Sequence, residues 1–162
     1  MKIHNAQYKI DDSSILNYYE VGTEKNKLLL LHAQGTNSCS FDNVVTKLAK
    51  HYHVYLVDYY GHGKSSHNPE KYNLVSIGND IIDFIENVIC DSVAVLGHSS
   101  GGLIAAYIEQ LFEFAKPHGR LDAQLIEDLE LPLTLQHLHH RHNRAIATLR
   151  KNDVAYLFFG TI

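Results

Sequence analysis

Residues Val93-Ala94-Val95-Leu96-Gly97-His98-Ser99-Ser100-Gly101-Gly102-Leu103-Ile104-Ala105-Ala106-Tyr107 run from an apolar strand former, through a cramped glycine turn, into an apolar helix former. Small residues on both sides of Ser99 let a tight backbone lift its hydroxyl out of a sheet, the arrangement called a nucleophile elbow. Glycine or alanine would fill such a turn with less strain, so a serine there points to chemistry rather than to packing. Ser99 is therefore the candidate nucleophile. His98 adjoins it in the chain, so its side chain is expected to point elsewhere and to form a wall of the pocket.

Upstream, Leu28 to Leu31 and Val54 to Val57 are continuous apolar runs bounded by polar residues, as strands covered on both faces of a parallel sheet require. Between them Phe41, Val44, Val45, Leu48 and Ala49 recur at helical spacing and predict a helix with one buried side. Leu74, Ile77, Ile81, Phe84, Ile85 and Val88 predict a second such helix, and Ser92 to Leu96 the strand before the elbow. Near the start, the polar cluster Asp11-Asp12-Ser13-Ser14 separates two short strand patterns, an edge hairpin. Strands alternating with helices imply a doubly wound, mostly parallel α/β sheet with its ligand site at the carboxyl ends of the strands.

Beyond about Gln110 the pattern changes, and Pro117 with Gly119 reads as a helix stop. Leu125 to Leu131 fits a strand, Thr134 to Arg150 a helix, and Val154 to Phe159 another strand. Residues 1–110 thus form the α/β core and 111–162 an atypical segment of mixed helix and strand, in the same domain or as a foreign tail. His118, His137, His139, His140 and His142 fall in that segment. On a helix, His137 with His140 and His139 with His142 would share faces, which suits a solvated polar helix or a two-imidazole metal grip. No His-Glu-x-x-His arrangement accompanies them, and no metal is expected.

Length and composition narrow the function classes. The chain has 162 residues, 45% hydrophobic and 20% charged, ordinary values for a globular domain. A net charge of −4 offers no footprint for nucleic acid or acidic lipid. The apolar runs are too short to cross a bilayer, and Met1-Lys2-Ile3-His4-Asn5 lacks the apolar stretch of a signal peptide. Cys39 and Cys90 are widely separated and read as free thiols of a reducing compartment. A cytoplasmic protein acting on a small neutral or mixed-polarity molecule is expected, with no membrane and no nucleic-acid partner.

Three motifs in register resemble the α/β-hydrolase family, specifically its serine esterase-like and peptidase-like members, over the N-terminal portion. They are Leu30-Leu31-His32-Ala33-Gln34-Gly35, similar to the His-Gly loop after the third strand; Asp58-Tyr59-Tyr60-Gly61-His62-Gly63-Lys64-Ser65, similar to the segment after the fourth; and Gly97 to Gly101, the elbow. The resemblance implies an α/β-hydrolase-like sheet, incomplete at its C-terminal side, and a cofactor-free serine hydrolase. Such an enzyme cleaves an ester, thioester or amide through an acyl-enzyme at Ser99. It implies an oxyanion hole from the backbone N–H groups of Ser100 and Gln34, the first aided by the helix dipole. His32 would brace this loop. Asp58, Gly61, His62 and Gly63 would be scaffold.

The chain departs from the family at Ala33, where glycine is common, and after the elbow helix, where further strands normally bring the acid and the base. Asp128 is a candidate acid, alternatively part of a surface strand, and no residue of the tail matches the family's histidine loop. The tail then reads as a truncation, a fusion or a shifted frame. Without a base, the alternative function is a catalytically inactive, hydrolase-like binding or regulatory protein. The sheet edge beside the elbow strand would need the tail, or a second copy of the chain, to cover it.

Overall fold

The computed structural model describes residues 2–115, 146–148 and 155–159, with side chains through 111. Its strands are β1 (Ile3–Lys9), β2 (Ile15–Val21), β3 (Lys27–Leu31), β4 (His53–Asp58), β5 (Val93–His98), β6 (Ile146–Thr148) and β7 (Ala155–Phe159). The helices are α1 (Asp42–Leu48), α2 (Leu74–Phe84) and α3 (Ser100–Ala115). One seven-stranded sheet has the order β1-β2-β4-β3-β5-β7-β6. β4, β3, β5 and β7 run parallel, while β1, β2 and β6 join antiparallel at the flanks, so the sheet is mixed and parallel only in its middle.

The apolar runs fold as strands because alternate residues find a core on opposite faces. Leu29, Leu31, Tyr55, Val57, Val93 and Val95 pack with Ile81, Phe84, Ile104 and Ile108 of α2 and α3. Leu28, Leu30, Val54 and Leu56 pack on the other face with Phe41, Val45 and Ala49, beside α1. Both layers exclude water, which is why the strand sequences show no polar alternation.

Three details differ from the sequence reading or add to it. Ile146–Thr148, expected within a helix over Thr134 to Arg150, pairs instead with β7 through Ile146↔Leu157, Ala147↔Tyr156 and Thr148↔Ala155. Its two β-branched residues suit that pleated position, and pairing overrides the helical spacing. The helix read through Val88 ends its α geometry at Phe84 and continues as a wider π turn over Ile85–Ile89, closed by Cys90 N–H donating to the Ile85 carbonyl at 2.9 Å. The sheet edge left open beside β5 carries β7, with His98 opposite Phe159. The strand expected over Leu125 to Leu131 lies outside the described residues.

Asp58, at the end of β4, is the polar hub under the site. It is fully buried and accepts from Ser38 N–H at 2.8 Å, Ser38 Oγ at 2.5 Å, Asn17 Nδ2 at 3.2 Å and Lys64 N–H at 3.2 Å. A Cβ on Gly63 would stand 2.0 Å from its Oδ2, so the turn after β4 needs glycine to close over the carboxylate. Further out, Lys71 bridges Asp11 at 2.9 Å and Asp80 at 3.0 Å, and Tyr60 donates to Asp80 at 2.7 Å, tying the β1–β2 turn to α2.

Candidate functional site

The carboxyl ends of β3, β4 and β5 bring the three sequence motifs to one rim of the sheet. Ser99 stands alone between β5 and α3, exposed, with φ at +55°. For a residue bearing a Cβ this left-handed geometry costs roughly 1–2 kcal/mol. The glycines around it explain why the turn can be so sharp. A Cβ on Gly97 would come within 2.2 Å of the Gly101 carbonyl oxygen, and one on Gly101 within 2.2 Å of the Leu31 carbonyl oxygen. The elbow therefore presses on its own return and on β3 at distances only hydrogen can occupy.

Ser100 opens α3, so its N–H has no carbonyl one turn back within the helix. Its hydroxyl accepts a hydrogen bond from the Gln34 N–H at 2.6 Å, across 66 residues of chain. The two residues named as oxyanion donors are thus neighbours in space, and in this structure the Gln34 amide is capped by the Ser100 side chain. Tyr59 Oη lies 3.4 Å from the same Ser100 oxygen and donates to the His32 carbonyl.

The loop after β3 is held from several directions. Ala33 carbonyl accepts from Thr36 N–H at 3.1 Å, from Thr36 Oγ1 at 2.7 Å and from His32 Nδ1 at 2.8 Å, which assigns the proton of His32 to Nδ1. Gly35 takes the left-handed turn, φ +77°, and donates its N–H to His62 Nε2 at 3.1 Å. Alanine at 33 is unstrained, because the positive φ falls on the glycine two residues later.

His32 is fully buried, stacked on Tyr59 with ring centroids 3.9 Å apart, and its Nε2 meets no partner. Burial, only partly offset by the bond to Ala33, holds its pKa below the usual imidazole value. Its Nδ1 bond to the Ala33 carbonyl and its stacking on Tyr59 tie the loop to the end of β4. His98 is half-buried at the end of β5, and among the described residues it makes no hydrogen bond to Ser99. Asp128 and the tail histidines lie outside the described residues. Cys39 and Cys90 are free and exposed, and none of the described helices is long and apolar enough to cross a membrane.

Beside the capped amide opens a cavity of about 290 Å³, lined by Tyr59, Tyr60 and His62 of the turn after β4, by Leu74, Ile77 and Ile104 of α2 and α3, and by Gln34 and Ser100. Sequence reasoning missed it. Tyr59, Tyr60 and His62 sit inside the motif after β4, yet nothing in that motif says the rings face α2 and α3.

Comparison with known proteins gives a consistent family. The model of the "Alpha/beta hydrolase family" matches residues 28–159. A pimeloyl-[acyl-carrier protein] methyl ester esterase of Proteus mirabilis is 32% identical over 94 residues, 57% of this chain and 34% of that protein. The magnesium-chelatase 30 kDa subunit of Rhodobacter capsulatus is 35% identical over 79 residues, 48% of this chain and 28% of that protein. Among solved structures, a hydrolase from Pseudomonas aeruginosa PA01 superposes with a TM-score of 0.60 at 28% identity, over 64% of this chain and 40% of that one. The chain spans only 34% and 28% of the lengths of the two curated relatives named here.

Proposed function

The chain belongs to the alpha/beta hydrolase family, and from that premise we propose that it hydrolyses an ester, thioester or amide of a small molecule through an acyl-enzyme at Ser99. The observation that carries this reading is the strained backbone at an exposed serine: φ +55° at Ser99 is maintained where glycine would rest without cost. Strain held at one side chain is understandable when that side chain must project for attack.

In the proposed reaction Ser99 Oγ attacks the substrate carbonyl carbon while an imidazole takes its proton, giving a tetrahedral oxyanion. Collapse breaks the bond to the leaving group, which takes that proton from the imidazolium, and water then attacks the acyl-enzyme by the same route to release the acid and restore the Ser99 hydroxyl. The oxyanion would be held by the Ser100 N–H at the start of α3 and by the Gln34 N–H. For the second donor to act, the Ser100 hydroxyl must give up the Gln34 amide, so a rotation of that side chain accompanies acylation. Among the described residues no imidazole is hydrogen-bonded to Ser99, so the base is assigned to none of them. The exposed thiols Cys39 and Cys90 support a cytoplasmic setting, and the proposed chemistry calls on no cofactor.

A second reading, a binding or regulatory protein without turnover, is favoured by the lack of an imidazole bonded to Ser99 among the described residues. A fluorophosphonate probe separates the two. Covalent addition at Ser99, seen by mass spectrometry and lost in Ser99→Ala, is the expected outcome. A folded protein that stays unmodified overturns the hydrolase reading and leaves the binding one.

A further inference from the structure

Most side-chain donors lining the cavity beside Ser100 are already engaged, although half of its wall is nominally polar. Tyr60 directs its hydroxyl outward to Asp80 at 2.7 Å, and Tyr59 donates to the His32 carbonyl. Both ring nitrogens of His62 are engaged, Nδ1 with the Tyr60 carbonyl at 2.9 Å and Nε2 with Gly35 N–H at 3.1 Å. Asn73 accepts from Ser76 N–H at 2.8 Å and donates to the Glu70 carbonyl at 3.1 Å, so its amide is spent capping α2. Tyr72, at the rim, is bonded to His67 Nδ1 at 3.1 Å. These residues therefore show the cavity ring faces and carbon edges. Leu74, Ile77, Leu103 and Ile104 complete it with aliphatic surface. Gln34 and Ser100, the latter next to Ser99 in the chain, also line it and are joined by the Gln34 N–H bond to the Ser100 hydroxyl.

We propose that this cavity is the acyl pocket, and that the substrate acyl group is an uncharged, unbranched chain of about six to eight carbons. The proposal rests on the reading of Ser99 as nucleophile. With the carbonyl at the Gln34–Ser100 end, the chain runs inward between Tyr60 and Ile77. A volume of about 290 Å³ corresponds to roughly ten water-sized groups at ~30 Å³ each, enough for such a chain and too little for a long fatty acyl group. A charged tail entering the cavity gives up water and meets donors already engaged at Tyr59, Tyr60 and His62, so the same wall that attracts methylenes rejects it. Leu103 is 40% exposed and Tyr72 46% exposed, so apolar surface of the cavity lining reaches solvent.

The test uses p-nitrophenyl acetate, butyrate, hexanoate and octanoate, with the mono-p-nitrophenyl ester of adipic acid as the charged counterpart of hexanoate. kcat/KM should rise roughly threefold per methylene through hexanoate, and the adipate ester should fall at least about tenfold below hexanoate. Leu103→Trp, a change at a partly exposed wall residue, should remove the gain from hexanoate to octanoate. Turnover of acetate that is lost in Ser99→Ala, with a flat chain-length series or an adipate ester as good as hexanoate, overturns the acyl pocket and preserves the hydrolase. If no ester is cleaved, the nucleophile reading fails and binding decides the cavity. Saturable shifts of the Leu74, Ile77, Leu103 and Ile104 methyl resonances with hexan-1-ol, absent with hexanoate, support it. No shift with the alcohol, or equal shifts with the anion, refutes it.

Discussion

Replacing Ser99 by glycine should make the protein more stable while removing its reactive hydroxyl. The φ of +55° at this residue costs a side-chain-bearing residue about 1–2 kcal/mol relative to glycine. Glycine also has a freer unfolded chain, which offsets about 0.4–1 kcal/mol of the gain. Ser99 is exposed, and its hydroxyl makes no hydrogen bond among the described residues, so no buried contact is given up. The net expectation is a stabilisation of about 0.5–1 kcal/mol, or roughly 2–3 °C in Tm for a chain of this size. Ser99→Ala keeps the Cβ and the strained angle, and should leave stability within about 0.5 kcal/mol of the parent. Urea unfolding of the three proteins, followed by circular dichroism and fitted with a common m value, measures the difference. If Ser99→Gly is no more stable than the parent, or if alanine stabilises as much as glycine, the elbow is not strained at this serine and the main support for its chemical role is gone.

Gly101→Ala should cost at least about 3 kcal/mol, because its Cβ would sit 2.2 Å from the Leu31 carbonyl oxygen and 2.7 Å from that of His32. Gly35→Ala, also at positive φ but with open space around the Cβ, should cost only about 1 kcal/mol, and urea midpoints of the pair test that contrast. Burial, reinforced by Glu20, pushes the Tyr55 phenol up to about 12. A raised pKa means that the folded state favours the protonated phenol. The contribution is complete below about pH 10, the unfolded value, and is lost as pH climbs toward 12. Tyr55→Phe should therefore unfold with a flatter dependence on pH between 9 and 11.5 than the parent, and parallel curves would count against the assignment.

The central fold was legible because its signals are local. Leu28 to Leu31 reads as a strand buried on both faces and is one, with alternate leucines in the two cores. The elbow was legible for the same reason, since Gly97, Ser99 and Gly101 are set by contacts within a few residues and with the end of β3. What escaped depends on partners distant in the chain. The hydrogen bond from Gln34 to Ser100 joins residues 66 apart, and no spacing rule foretells which side chain will occupy an amide across that gap. The cavity escaped because its character comes from where tyrosine hydroxyls point, a matter of Asp80 and the His32 carbonyl rather than of the motif that holds the tyrosines. Ile146–Thr148 was misread because its helical spacing was stronger than its strand character, and only pairing with β7 decides between them.

The three motifs that suggested the family one by one turn out to be a single packing solution. Gly101 lets α3 touch the Leu31 carbonyl, the Gln34 amide reaches Ser100, and Gly35 reaches His62, whose turn closes over Asp58. Each link fixes one loop against the next, so the strain at Ser99 is borne by the whole rim rather than by the elbow alone. That arrangement also explains why Ala33 is tolerated: the loop's left-handed residue is Gly35, and His32 and Thr36 bind the Ala33 carbonyl from both sides. The Ser100 hydroxyl stands apart on this rim, because its present partner, the Gln34 amide, is also wanted by the proposed oxyanion. Catalysis as proposed therefore needs the Ser100 side chain to rotate, because that rotation frees the Gln34 amide for the oxyanion.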